Sequence, residues 1–124
     1  MLDPSQRRAD GESAERLAEA FLAERGFRPI AANFLTRFGE IDLIMADGDT
    51  LVFIEVKRRR NDLYGDVESS VTPAKCRRIV KSALIYLHTR RIQDRLLRFD
   101  VVVMDGGGIR HLPNAFDAGA WFPV

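Results

Sequence analysis

Residues 39–57, GEIDLIMADGDTLVFIEVK, constrain the fold of this chain more than any other stretch. Ile41, Leu43, Ile44 and Met45 lead into Asp47-Gly48-Asp49, and Leu51, Val52, Phe53, Ile54 and Val56 lead out. Two apolar runs joined by Asp-Gly predict a β-hairpin, because Gly and Asp tolerate the positive φ of a tight turn. Neither run alternates cleanly with polar residues, which predicts strands covered on both faces. Glu40, Asp42, Glu55 and Lys57 nevertheless sit inside them. Charged groups are rarely buried unless paired, hydrogen-bonded or metal-bound. That conflict marks the hairpin as the place to look for function.

Glu55 and Lys57 are two apart on one strand and leave the same face. The direction of Asp42 depends on the turn. A two-residue loop at Asp47-Gly48 pairs Asp42 with Phe53, and one at Gly48-Asp49 pairs it with Glu55; both put Asp42 on the face of Glu55 and Lys57. A three-residue loop sends it to the other face unless a bulge restores it. The two-residue turns therefore converge two carboxylates and an ammonium. Carboxylates a few Å apart repel, and a divalent cation relieves this, with hard oxygen ligands favouring Mg²⁺ or Mn²⁺. Asp42 and Glu55 are the expected ligands, the backbone carbonyl of Val56 a third, and Glu40 an outer ligand on the face of Asp42. Such a site suits phosphodiester hydrolysis, the metal activating water and Lys57 stabilising the developing charge. Glu–Lys pairs across strands also occur as plain ion pairs, so spacing alone leaves that reading open.

The rest of the chain reads as one domain over residues 1–124, with 1–9 polar and expected to fray. Residues 10–25 carry Ala14, Leu17, Ala18, Phe21 and Leu22 at helical spacing, ended by Gly26. Glu15 and Glu19 read as surface charges beside Arg16. Glu12, in the first turn, suits the helix dipole or points past the helix end toward a neighbouring site, and periodicity does not decide. Residues 27–34 predict a strand, residues 58–71 a long polar loop, and Thr72-Pro73 an N-cap followed by a proline at the first helical position. The helix to Thr89 should bury Ile79, Val80, Ala83, Leu84 and Leu87 and expose Lys75, Arg78 and Lys81. FDVVVM at residues 99–104 is a further strand, and residues 109–112 a short return strand. Trp121-Phe122-Pro123 is expected to dock on the core. Cys76, His88 and His111 show no recognisable chemical arrangement, and Asp100 reads as a structural hydrogen-bonding or ion-pairing group. The order α-β-β-β-α-β predicts an α/β fold, a mixed central β-sheet with flanking helices and a right-handed parallel crossover between the hairpin and the 99–104 strand.

A net charge of +1 hides an uneven distribution. Residues 1–54 carry 6 basic and 10 acidic side chains, whereas residues 55–98 carry 12 and 5. Arg58, Arg59, Arg60, Lys75, Arg78 and Lys81 lie in this basic middle, which can attract a phosphate backbone. No apolar run approaches the roughly 18 residues of a membrane span, and no apolar signal segment opens the chain. A cytoplasmic protein without a membrane partner is expected. One cysteine forbids an internal disulfide.

Gly39-Glu40-Ile41-Asp42 with Phe53-Ile54-Glu55-Val56-Lys57 resembles the PD-(D/E)xK nuclease pattern in its GEID…EVK form. Gly11-Glu12, Arg59, Gly65, Lys75, Arg78 and Arg98-Phe99-Asp100-Val101-Val102 extend the likeness to an uncharacterised bacterial family of the YraN type, from Gly11 to Met104. Ile41 stands where the name-giving proline would be. The resemblance implies a restriction-endonuclease-like fold similar to archaeal Holliday-junction resolvases. It places Asp42, Glu55 and Lys57 in an active site, with Glu12 as an added acid. It further implies Mg²⁺ or Mn²⁺ as cofactor, DNA as partner, branched or damaged DNA as substrate, and a homodimer. The alternative is a nucleic-acid-binding module that keeps the fold without cutting.

Overall fold

The computed structural model describes the backbone of residues 4–59 and 72–117, with side chains from residue 13 onward in those ranges. The elements are α1 (Pro4–Glu24), β1 (Arg28–Thr36), β2 (Gly39–Asp47), β3 (Thr50–Arg58), α2 (Pro73–Thr89), β4 (Leu96–Asp105) and β5 (Gly108–Leu112). The strands form one mixed sheet in the order β1-β2-β3-β4-β5. β3 and β4 run parallel and every other pair is antiparallel. The expected order therefore holds, completed by β5 as the return strand. Residues 60–71 and 118–124, which include Arg60, Gly65 and Trp121, lie outside the described residues.

The double-sided burial expected of the hairpin is present. Leu51, Phe53, Ile44 and Phe99 pack under α2 with Ile79, Val80, Ala83 and Tyr86. Val52, Ile54, Leu43, Met45 and Val102 pack under α1 with Ala18, Leu22 and Phe27. Successive β3 residues thus enter opposite layers, as strand alternation requires. α2 starts as its sequence dictates: Thr72 is extended, its hydroxyl accepts from Lys75 N–H, and Pro73 follows.

Two expectations for α1 need correction. Its helix begins at Pro4 rather than near Asp10, so residues 4–9 belong to α1. Gln6, Arg7, Arg8 and Ala9 are good helix formers, and proline is tolerated in a first turn. Leu17 is 55% exposed instead of buried. The inward stripe is Ala14, Ala18 and Leu22, each four residues on, and Leu17 falls beside it rather than on it.

Candidate active site

The site lies where β2 and β3 part. Their pairing runs from Asp47↔Thr50 to Leu43↔Ile54, so the turn is the two-residue loop Gly48-Asp49, with Gly48 at φ 59. In a ladder closed by such a loop every second pair exchanges both hydrogen bonds, and Ile41 with Val56 would be the next to do so. Instead the Val56 N–H donates to Asp42 Oδ2 at 2.8 Å. A side-chain carboxylate has taken the place of backbone, in the fork just before Glu55. Val56 thus meets Asp42 through its N–H.

On the other side of β2 the irregularity is shared. Ala32↔Leu43 and Phe34↔Ile41 pair normally, with Asn33 and Asp42 between them. Ala31 and Phe34, and likewise Ile41 and Ile44, are three residues apart yet pack in the same α2-side layer. Residues three apart on a regular strand face opposite ways. Asn33 stands at φ 54, a left-handed conformation that Asn accepts more readily than most residues.

This geometry brings acids together from two elements. Carboxylate oxygens of Glu15 on α1 and Glu40 and Asp42 on β2 all lie within 4.8 Å of one another. The Asn33 side-chain amide donates to Glu40 Oε1 at 2.8 Å and also to Glu15 Oε2. Glu55 approaches Asp42 from the α2 side. Its Oε1 lies 2.8 Å from Lys75 Nζ and 3.7 Å from Lys57 Nζ. Asp42, Glu40, Glu55, Lys75, Arg78, Phe38 and Ser82 line a cavity of about 360 Å³. Burial, then the charge of Glu55, push the Asp42 carboxyl up to about 8; Glu15 and Glu40 add to this and the Val56 N–H opposes it. Asp42 therefore sits between like charges, the situation a divalent cation relieves. The donor set, all carboxylate oxygen, fits a hard cation such as Mg²⁺ or Mn²⁺.

The structure thus brings Asp42, Glu55, Lys57 and Glu40 into one region. Lys75, expected as a phosphate contact on an exposed helix face, bonds Glu55 inside the cavity. Arg78 lines the same wall, and Lys81 Nζ stands 5.1 Å from the centre of the Phe38 ring. Arg58 lies exposed at the end of β3, and the Arg59 N–H donates to the Met104 carbonyl at 2.7 Å. The Glu12 side chain and Arg60 lie outside the described residues.

Two residues were missed. Glu15, read as a surface charge, is half-buried and joins the acids. It flanks the Ala14–Ala18 stripe, a position whose long side chain can reach past the helix edge. Asn33 had a signal too: Asn is depleted in strands, and here it interrupts Ile30-Ala31-Ala32…Phe34-Leu35. The cavity floor is braced by a hydroxyl chain. Thr36 Oγ1 donates to the Gly39 carbonyl at 3.0 Å and lies 2.7 Å from Ser82 Oγ. Thr36 has one proton to give, so Ser82 is the donor between them.

A second polar cluster occupies β4. Asp100 is fully buried and accepts from Arg98 Nε and Nη2, each at 2.9 Å, and from the Asn114 N–H at 2.9 Å. His111 Nε2 lies 2.7 Å from its Oδ2. Arg98 also donates to Asp47 at 2.9 Å, and hydrogen bonding to Asp100 first of all holds its guanidinium above the ordinary value. The structural role expected of Asp100 is present. His111, read as unpartnered, is its partner: β5 pairing sets His111 opposite Val102, two residues along from Asp100 on β4.

Comparison with known proteins adds a family but no activity. The family described as "Uncharacterised protein family UPF0102" matches residues 14–104. A UPF0102 protein of Syntrophus aciditrophicus is 45% identical over 111 residues, 86% of this chain and 87% of the relative. One from Myxococcus xanthus is 42% identical over 120 residues, 94% and 95% of the two chains, and one from Nitrosospira multiformis 47% over 113, 89% and 94%.

Proposed function

The chain belongs to the uncharacterised protein family UPF0102, and for this member of it we propose a metal-dependent nuclease that hydrolyses DNA phosphodiester bonds. The observation that carries the proposal is the setting of Asp42, with Glu55 on one side and Glu15 and Glu40 on the other, beside the cationic wall of Lys75 and Arg78. Asp42, Glu40 and Glu55 line a cavity whose wall carries Lys75 and Arg78, and Glu15 meets Asp42 from α1. A binding site for a cation and a phosphate explains both halves of that arrangement.

In this reading Asp42, Glu55, Glu40 and Glu15 hold Mg²⁺ or Mn²⁺. When bound, the cation supplies a water of lowered pKa and neutralises charge on a phosphate oxygen. Lys57 holds its ammonium beside Glu55, where it can orient the attacking water and stabilise negative charge on the phosphate. Arg78 and Lys81 contact the flanking backbone, and Arg58 and Arg59 extend the basic surface, with Arg60 outside the described residues. Cleavage of both strands of a branch then calls for two copies of the chain.

The test is cleavage with Mg²⁺ or Mn²⁺ of single-stranded, duplex, flapped and four-way-junction DNA, with Lys57→Ala purified identically. Metal-dependent product from wild type alone is the expected result, and the substrate cut fastest names the preferred structure. No product from any substrate, with salt-sensitive binding retained, would overturn it in favour of a binding module.

A further inference from the structure

We propose that Asn33 is a positioning residue for this centre, fixing Glu15 and Glu40 so that their carboxylates converge with Asp42; this rests on the metal-centre reading above. Glu15 belongs to α1 and Glu40 to β2, and both reach one point beside Asp42. What joins them is a single –NH₂ group. An amide nitrogen has two hydrogens diverging in one plane, and that of Asn33 gives one to each glutamate. Two long acidic side chains at a protein surface otherwise keep their rotamer freedom and repel. The donors remove both problems before any cation arrives, and they set the spacing a cation would meet.

The backbone explains why the residue is asparagine. Position 33 has φ 54, in a strand whose alternation breaks there. Glycine tolerates that conformation but has no donor. Aspartate tolerates it but would bring one more carboxylate. Glutamine has the donor but lacks the tolerance of left-handed backbone shown by Asn. Asn combines the two properties, and its irregular backbone also belongs to the stretch where Asp42 leaves the regular ladder.

The experiment is Mn²⁺ binding by titration calorimetry on the full chain, with melting in EDTA as a second readout. Asn33→Gly should weaken Mn²⁺ binding tenfold or more, the range for groups that orient metal ligands. In a Glu15→Gln background the same substitution should cost several-fold less than in wild type, because Asn33 acts through both glutamates and only Glu40 is then left to position. Asn33→Asp, with volume and backbone tolerance kept, should melt several degrees below wild type in EDTA. Mn²⁺ affinity of Asn33→Gly within twofold of wild type, an equal loss with and without Glu15→Gln, or melting of Asn33→Asp with wild type would each overturn the proposal. Wild type that binds no Mn²⁺ would overturn the metal centre itself, a failure seen before any variant is made.

Discussion

Asp42 and Asp100 are both aspartates planted in interior strands of one sheet, and they have opposite surroundings. Asp100 is enclosed by donors: two guanidinium contacts, a backbone N–H and an imidazole. Among the described residues Asp42 accepts from the backbone N–H of Val56 and is faced by the acids Glu55, Glu15 and Glu40. The first arrangement settles its charge within the fold. The second crowds Asp42 with like charges, which together with burial keep its proton on to about pH 8. A buried acid whose needs are met in the chain is architecture; one placed among its own kind points to something outside the chain.

The comparison is tested hardest at Asp100. Asp100→Ala removes the buried acceptor shared by the partly buried Arg98 and His111, and should cost about 3 kcal/mol of stability by urea denaturation, the low end for breaking a buried pair. Arg98 keeps Asp47, which holds the figure to the low end. Asp42→Asn should do the reverse. An amide oxygen can still accept the Val56 N–H, so the metal-free protein should melt at or above wild type while cleavage falls at least about hundredfold. Equal stability losses in the two variants would erase the distinction between the sites.

A pH titration sharpens the contrast. Asp42 holds its proton in the native state to about pH 8, whereas the unfolded chain releases it near 3.8. Between those values the native state binds more protons, so this group's contribution makes stability fall as pH rises, and it is level outside that window. Wild type without metal should therefore lose melting temperature relative to Asp42→Asn from pH 5 to pH 8. Mn²⁺ should restore more of it at pH 8 than at pH 5, since binding must displace that proton. Parallel curves for the two proteins would mean that Asp42 titrates as an ordinary acid.

How much of this was readable beforehand follows from the same chemistry. The hairpin, its two-sided burial and the shared face of Glu55 and Lys57 follow from strand periodicity, which is local information; the break in alternation between Ile41 and Ile44 that sets Asp42 in the fork does not. Glu15 and Lys75 were misplaced because periodicity gives the face of a helix and not how far a long side chain reaches around it. Lys75 projects from the first turn of α2, and only the packing of that helix on the sheet brings it to Glu55. The structural role of Asp100 is legible from the sequence, and its pairing with His111 is not. That contact depends on β5 pairing back along β4, a register the sequence does not state.

The smallest effect is expected at Lys75, where the two kinds of site meet. Its ammonium lies 2.8 Å from Glu55 and gives that acid a cationic partner, of which Asp42 has none among the described residues. The lysine side chain is 22% exposed, so the pair has the modest worth of one near solvent, and Lys75→Met should cost no more than about 1 kcal/mol. Its consequence for metal is of the opposite sign. An ammonium on Glu55 competes with a cation for the same carboxylate, so Mn²⁺ should bind Lys75→Met at least as tightly as wild type in calorimetry. If it binds tenfold more weakly, Lys75 orders Glu55 for the metal as Asn33 is proposed to order Glu15 and Glu40, and the pair of Lys75 with Glu55 belongs to the centre rather than guarding it.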